Sequence, residues 1–310
     1  DIDLATQATP EEVLSRLQTA EIKAIPTGID HGTITAVIDG QSFEITSLRE
    51  DVATDGRRAT VAYTTDFEVD SGRRDFTFNA MYLAADGTLY DYHNGLEDLR
   101  AGEVKFIGDA ETRIREDYLR IIRFCRFYAR YGTAAPTQET LALLKKYVAE
   151  VADLSAERIT QEFMKLFSGN KPATGWAMLS QVGVLKELSI DHKEHYSLAA
   201  LEKHTGLFPE VKNPIERLVC LYGLFTDLLG EESLLVLSHR QRKLIEQITN
   251  GLRYYRSEMT AAELLYECGT EAAPAVLRIL IAESSLNDAD EAENERIALL
   301  GRLEEIAKTD

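Results

Sequence analysis

The sequence is short of the parts that several common functions need. It holds three cysteines in 310 residues, Cys125, Cys220 and Cys268, far apart and with no CxxC between them. That spacing excludes a disulfide framework and a cysteine-built zinc module. The three read as reduced, buried thiols of a cytoplasmic protein. No apolar run approaches the ~20 residues of a membrane span, so no membrane partner is expected. No basic-then-apolar segment precedes the first motif, so no signal peptide is expected. Basic residues are outnumbered, 34 Lys and Arg against 52 Asp and Glu, giving a formal net charge of −18. A balance so acidic argues against broad nucleic-acid binding, whose usual footprint is a basic domain. Internal repeats, long linkers, a metal-dependent phosphohydrolase domain and a Ser/His/Asp or Cys/His nucleophile arrangement are all missing. The histidines of "DHKEH", Asp191 to His195, read as part of a solvated helical face, and His31 as a loop residue.

What is present fits a soluble globular protein: 45% apolar and 28% charged residues, over a length that holds two or three compact units. The charge is uneven. Arginines crowd between Arg49 and Arg130, while acid dominates "NDADEAENE" near the C-terminal end. A basic face on an acidic body attracts an anionic ligand locally.

The first third reads as mixed β and α. Thr9 is placed as an N-cap, with Pro10 at the first helical position and Glu11 and Glu12 in the first turn. Two β-rich runs flank Asp39-Gly40, a two-residue hairpin signal. "DFTFNAMYLAADGTLYDY" reads as a second strand pair turning near Asp86-Gly87. From about residue 109 the period changes to 3.6. "RIREDYLRIIRFCRFYARYG" reads as one helix ending at Gly132, "TQETLALLKKYVAEVADL" as a second, and "SAERITQEFMKLFSG" as a third, capped by Ser155 and stopped near Gly169. Helical patterns continue almost to the end.

Chemistry first shows at the start. In "DIDLAT", strand alternation puts Asp1 and Asp3 on one face and Ile2 and Leu4 on the other. Two carboxylates so placed can share divalent ions such as Mg²⁺ with substrate phosphates. Two such ions ~3.5–4 Å apart activate an attacking hydroxyl and stabilise a leaving oxygen. In "SFEITSLR", Glu44 shares a face with Thr46 and is a candidate third carboxylate. In "SGRRDFTFNAM", Arg73 and Arg74 suit multidentate phosphate recognition, Asp75 is placed to orient one of them, and Asn79 offers both a donor and an acceptor.

The stretch "IGDAETRIREDYLRIIRFCRF" carries the sharpest pattern. Asp117 and Arg120, three apart on a helix, are neighbours. A carboxylate accepts from an exocyclic amino group and a guanidinium donates to a ring acceptor. Cytosine and adenine offer that edge, whereas uracil and guanine present a carbonyl and a ring N–H. One Asp/Arg pair therefore accepts C and A and leaves polar groups unpaired against U and G.

"DIDLAT", "RRDFTFNA", "DYHNGLEDL", "IGDAETRIREDYLRIIRFCRF" and "DLSAERITQEFMKLF" occur in the order found in class II tRNA nucleotidyltransferases, the CCA-adding enzymes and the related bacterial poly(A) polymerases. The resemblance spans roughly residues 1–190. It implies an α+β protein, with a polymerase-β-like nucleotidyltransferase head at 1–108. A helical neck with the nucleobase template and an RNA-binding region follows at 109–190, and a helical body and tail at 191–310. It implies Asp1 and Asp3 as metal ligands, with Mg²⁺ as cofactor. "RRDFTFNA" corresponds to the motif that contacts the nucleotide's sugar and phosphates. Asp117 and Arg120 match the amino-acid template for CTP or ATP, with Arg123 as a further nucleotide-binding residue and Glu116 as a supporting one. Glu157 and Arg158 match a neck-helix motif that supports the template helix, and "TDGRRAT", through Asp55, Gly56 and Arg57, resembles the loop that lets specificity change from C to A. The family's GG-x-x-RD turn before the DxD strand, a phosphate cradle, has no counterpart, so the chain is expected to begin partway through its parent, without the first strand and glycine turn.

The expected activity is addition of CMP and AMP to the 3′ acceptor end of tRNA, with no protein partner evident. The alternatives are a C-only or A-only enzyme or a poly(A) polymerase, a non-catalytic RNA-binding member of the family, and a helical scaffold. Arg240, Arg242 and Lys243 in "LSHRQRKLIEQI" are further candidates for the RNA backbone.

Overall fold

The computed structural model describes residues 3–29, 32–54, 59–190, 197–222, 234–286 and 290–308. The chain divides into two compact units: residues 1–120 with 133–143, and residues 121–132 with 144–310.

The first unit is built on a four-stranded sheet. Its strands are β1 (Asp3–Thr6), β2 (Lys23–Gly28), β3 (Thr33–Ile38) and β4 (Gln41–Ser47), in the order β1-β4-β3-β2. β1 runs parallel to β4 and the other pairs are antiparallel. The turn at Asp39-Gly40 has φ of 51° and 77°, the left-handed pair that a two-residue hairpin needs. Helix α1 (Pro10–Thr19) starts at Thr9, whose side chain and that of Glu12 form a reciprocal capping box. It packs Val13, Leu14 and Leu17 against Ile34 and Ile45, covering one face of the sheet.

A two-stranded ribbon follows, β5 (Arg49–Thr54) and β6 (Ala59–Tyr63), then α2 (Phe67–Gly72). The strand expected to hold Asn79 is instead a 3₁₀ turn, Thr77–Ala80. Its geometry is set from outside: Thr77 Oγ1 donates to the buried Asp98 at 2.8 Å, and Gly95 lies so close that a Cβ there would sit 2.3 Å from the Thr77 carbonyl oxygen. The short hairpin β7 (Met81–Leu83) and β8 (Leu89–Asp91) then forms around Asp86-Gly87 as expected. Helix begins earlier than the pattern suggested, with α3 (Gly95–Ala101).

The expected single helix from Arg113 to Gly132 is two: α4 (Ala110–Glu116) and α5 (Leu119–Tyr131). The break falls at Asp117, which is extended, with φ −157°, and whose Oδ1 accepts from the Leu119 amide at 3.1 Å. A short carboxylate competing for backbone N–H groups is what ends one helix and starts the next. The second expected helix is also shorter: α6 (Gln138–Lys146) gives way to a 3₁₀ segment, Val148–Asp153, that buries Val151. Residues 144–146 of α6 belong to the second unit.

That unit holds α7 (Ala156–Phe167), α8 (Pro172–Val182), α9 (Val184–Glu187), α10 (Leu198–Leu207), α11 (Pro214–Tyr222), α12 (His239–Tyr254), α13 (Ala261–Cys268), α14 (Ala272–Ser284) and α15 (Asp290–Ala307). Ser155 occupies the N-cap position of α7 without a side-chain cap bond, whereas Ser238 caps α12 in a full capping box with Gln241. Trp176 is the aromatic centre, edge-on to Phe163 and Tyr222. The three cysteines are free and buried, and burial pushes their thiols up. The expected α+β class with a helical remainder is what the chain adopts. No helix among the described residues is long and apolar enough to cross a membrane.

Candidate active site

The open face of the sheet, opposite α1, carries the carboxylates. β1 and β4 pair in parallel register with Asp3 beside Glu44, and Thr35 flanks Glu44 on β3. Leu4, Ile45 and Ile34 are aligned on the other face, toward α1. Core burial therefore fixes which way the acids point, since a one-residue slip would exchange the two faces. Asp3 and Glu44 are both exposed. No cluster of three or more His, Cys, Asp and Glu side chains stands ready for a metal among the described residues. The Asp3–Glu44 pair still suits Mg²⁺, which takes one or two carboxylates and completes its shell with water and phosphate oxygens. Asp1 lies outside the described residues, as do Asp55, Gly56, Arg57, His31 and the "DHKEH" segment.

The arginine pair is organised by a residue that the motif reading missed. Asp70, on α2 and buried, takes Arg73 Nε and Nη2 on Oδ1 at 3.0 and 2.8 Å and Arg74 Nη2 on Oδ2 at 3.1 Å. The Arg49 amide adds a bond of 3.0 Å and the Tyr82 hydroxyl one of 2.5 Å. Burial pushes the Asp70 carboxyl up, but Tyr82, Arg73 and Arg49 outweigh it and hold the group below the usual carboxylate range. Burial and the bond to Asp70 push the Tyr82 hydroxyl up. Asp75, expected to orient an arginine, accepts from Asn79 Nδ2 at 3.1 Å and from the Phe76 amide. The spacing D-x-x-R-R on a helical turn, with the acid three and four residues before the arginines, was the available signal for Asp70.

At the α4–α5 break, Arg120 and Asp117 do not lie side by side on one helix as expected. Arg120 pairs with Glu116 at 2.6 Å, across the break, and its amide donates to the Asp117 carbonyl at 3.0 Å. Its guanidinium also reaches the Arg113 carbonyl at 2.6 Å and the Arg73 carbonyl at 3.3 Å. Asp117 is thus brought to the same unit and the same neighbourhood as the Arg73 turn. In "DYHNGLEDL", the Asp91 carboxylate accepts from the Gly95 and Leu96 amides at 2.8 and 2.9 Å, closing the loop that seats Gly95 under Thr77.

Arg123 belongs to the second unit. It and Arg126 meet the buried Glu162 of α7, at 3.4 and 2.6 Å. Glu162 was not singled out from sequence, although "RITQEFMK" carries it on the apolar face, where an acid signals a buried partner. Glu157 is exposed and Arg158 half-buried at the start of the same helix. On α12, Arg240 forms an exposed pair with Glu271 at 3.1 Å and Arg242 reaches the Leu237 carbonyl.

Comparison with known proteins accords with this arrangement. Residues 1–105 match the family described as the Poly A polymerase head domain, and residues 135–193 match the probable RNA and SrmB-binding site of polymerase A. The CCA tRNA nucleotidyltransferase 1, mitochondrial, of Danio rerio is 51% identical over 174 residues, 55% of this chain. The chain spans only 40% of the length of that relative. A CCA-adding enzyme of Bacillus cytotoxicus is 30% identical over 305 residues, covering 94% of this chain and 74% of the relative. Among solved structures, the Bacillus stearothermophilus CCA-adding enzyme in complex with CTP superposes with a TM-score of 0.73 at 26% identity, over 98% of this chain and 73% of that one. With a relative matched along most of both lengths and a polymerase head carrying paired carboxylates, the chain belongs to the CCA-adding enzyme family of tRNA nucleotidyltransferases.

Proposed function

We propose that this chain adds CMP and AMP to the 3′ acceptor end of tRNA, using CTP and ATP. The observation that carries the reading is the parallel register that sets Asp3 beside Glu44 on the open face of the head sheet. Those two carboxylates, with Asp1, would hold Mg²⁺, which when bound supplies charge neutralisation at the α-phosphate and a more acidic attacking hydroxyl. The terminal ribose oxygen of the tRNA attacks the α-phosphorus. The bond from that phosphorus to the bridging oxygen breaks, and pyrophosphate leaves with the electron pair. The protein's own contribution is chiefly positioning and electrostatics.

Arg73 and Arg74 take the phosphates, and Asn79, held by Asp75, takes the sugar. Asp117 and Arg120 read the base edge. Glu116 steadies Arg120, Arg123 joins the nucleotide-binding set, and Glu157 and Arg158 are supporting residues of the neck, while Arg57 belongs to the loop that changes specificity from C to A. In this division of labour the head is 1–108, the neck 109–190 and the body and tail 191–310. RNA is recognised by backbone and shape along the helical part. Support comes from the CTP complex of the Bacillus stearothermophilus relative and from the name of the Danio rerio relative, a CCA tRNA nucleotidyltransferase. The three buried free thiols fit a reducing compartment, and we place the activity in the cytoplasm.

The test incubates the full-length protein with tRNA ending at the discriminator base and with each NTP separately. Two CMP from CTP, then one AMP once ATP is added, is the expected result. Addition of A alone, of C alone or of a long A tail would replace this reading with that of a specialist or a poly(A) polymerase.

A further inference from the structure

Asp70 is a buried charge with no place in the roles assigned above, and its geometry says what it does. We propose that Asp70 is the positioning residue of the triphosphate clamp, holding Arg73 and Arg74 side by side and fixing both to the start of the β5–β6 ribbon. The inference rests on the reading of Arg73 and Arg74 as phosphate-binding residues.

Three observations carry it. First, the carboxylate is saturated. Oδ1 accepts from Arg73 Nε, Arg73 Nη2 and the Arg49 amide, and Oδ2 from Arg74 Nη2 and Tyr82. An ionised Asp offers about four lone-pair sites. None is left for a metal ion or a substrate hydroxyl, so Asp70 acts through the arginines rather than on the substrate. Second, exposure is graded. The Asp70 side chain is 1% exposed, that of Arg73 17% and that of Arg74 32%. The anion is sealed behind two cations that still reach solvent, which is the order a phosphate-binding surface needs. Two guanidinium groups this close repel one another, and the carboxylate between them removes that repulsion while leaving one net positive charge for the ligand. Third, the cluster closes on the ribbon. Arg73 Nε also donates to the Arg49 carbonyl at 3.2 Å, so the first residue of β5 is tied through both its amide and its carbonyl. Arg74 adds a bond to the Asn79 carbonyl at 3.1 Å and lies over the Tyr82 ring, 5.1 Å from its centre. One carboxylate thereby sets the arginine pair against both the ribbon and the turn that carries Asn79.

The experiment compares full-length wild type with Asp70→Asn and Tyr82→Phe. It measures KM for CTP, ATP and tRNA, inhibition by pyrophosphate, and direct calorimetric binding of pyrophosphate. Asparagine keeps the shape but loses the charge that holds two cations. Asp70→Asn is expected to raise the CTP, ATP and pyrophosphate constants together, by about ten- to hundredfold, with KM for tRNA within about twofold of wild type. Tyr82→Phe removes one bond to Asp70 and neither arginine. It is expected to lower the melting temperature and leave the pyrophosphate constant within about twofold. If Asp70→Asn does not fold, Asp70→Glu carries the same test, because it keeps the charge and displaces the arginines. A folded Asp70 variant with wild-type pyrophosphate affinity overturns the proposal. So does a Tyr82→Phe enzyme as defective toward pyrophosphate as Asp70→Asn, since that would be a general loss of structure. The calorimetric arm needs no turnover: a wild type that adds no CMP counts against the proposed function while Asp70 is still judged on binding. A wild type that binds no pyrophosphate overturns both.

Discussion

Arg120 closes on the backbone of Arg73, donating from Nη2 to its carbonyl at 3.3 Å. One residue earlier in the chain, the Gly72 carbonyl accepts from Arg113 at 3.2 Å. Glu116 lies between the two cations, 2.7 Å from Arg113 and 2.6 Å from Arg120. Two arginines of the α4–α5 segment thus grip adjacent carbonyls at the end of α2. Since the side chains of Arg73 and Arg74 hang from that same turn, the groups proposed to read the base and those proposed to bind phosphates share one frame.

This frame separates two substitutions that a simple template would treat alike. Asp117→Ala is expected to relax base choice, lowering the preference for CTP over UTP in kcat/KM by about ten- to hundredfold, with Mg²⁺ dependence unchanged. Arg120→Ala is expected to lose base choice and also to raise KM for every NTP, because it frees the Arg73 turn. Single-nucleotide incorporation with each of the four NTPs reads both. An Asp117→Ala enzyme that still rejects UTP and GTP would show that the template is elsewhere.

The carboxylate pair makes a separate claim. Asp3→Asn is expected to lower kcat by about 10²- to 10³-fold, as for loss of several kcal/mol of charge stabilisation, and Glu44→Gln by less. Chelation by EDTA is expected to abolish incorporation and added Mg²⁺ to restore it. Neither substitution should shift the melting temperature much, because both side chains lie on the exposed face. Rapid-quench measurement at saturating CTP and tRNA checks the size of the effect, and a full-rate Asp3→Asn enzyme would remove Asp3 from the metal site.

Local signals carried much of this from the sequence, and non-local ones carried the rest. The Thr9 cap, the Asp39-Gly40 turn and the alternation that faces Asp3 away from Leu4 each depend on residues a few positions apart, and each is present in the fold. The registration of Asp3 with Glu44 depends on which strand pairs with which, and alternation alone left it open. The helix break at Asp117 was hidden because periodicity continues through it, while its side chain takes the Leu119 amide and turns the backbone. The 3₁₀ turn at Thr77–Ala80 was hidden for a different reason. "DFTFNA" has strand composition, but Asp98 and Gly95, about twenty residues on, bend it. Asp70 and Glu162 were missed because Arg73, Arg74 and Arg123, which they hold, drew notice as ligand-binding groups.

Gly95 tests that bend directly. A Cβ there would lie 2.3 Å from the Thr77 carbonyl oxygen and 2.9 Å from the Phe78 Cα, both backbone atoms that cannot swing aside. Gly95→Ala is expected to cost about 1–3 kcal/mol, as overpacking does. It is also expected to raise KM for CTP, because the displaced turn carries Asn79. Urea unfolding and steady-state kinetics on the same preparation check the two effects. A variant with unchanged stability would mean that the Thr77 turn yields freely.

In the helical unit, stability toward acid should depend on Glu216. This buried carboxylate joins three helices, accepting from His204 of α10 at 2.7 Å and from Arg278 of α14 through two bonds of 2.7 Å. Burial pushes its carboxyl up, but Arg278 and then His204 more than offset this, so its folded pKa lies below the ordinary 4.5. A carboxyl depressed on folding binds its proton more readily when unfolded. Its contribution is therefore complete above the unfolded value and is lost as pH falls through the folded one. Glu216→Gln strands the Arg278 charge and is expected to cost about 3–5 kcal/mol near neutral pH. That deficit is expected to shrink as pH falls below the ordinary 4.5, because the unfolded wild-type chain takes up a proton there that the folded protein does not, until the folded carboxyl is protonated as well. Urea midpoints for the two proteins at pH 7 and at successively lower pH measure the gap, and a deficit that stays constant into acid would show that Glu216 does not stabilise the fold as an anion.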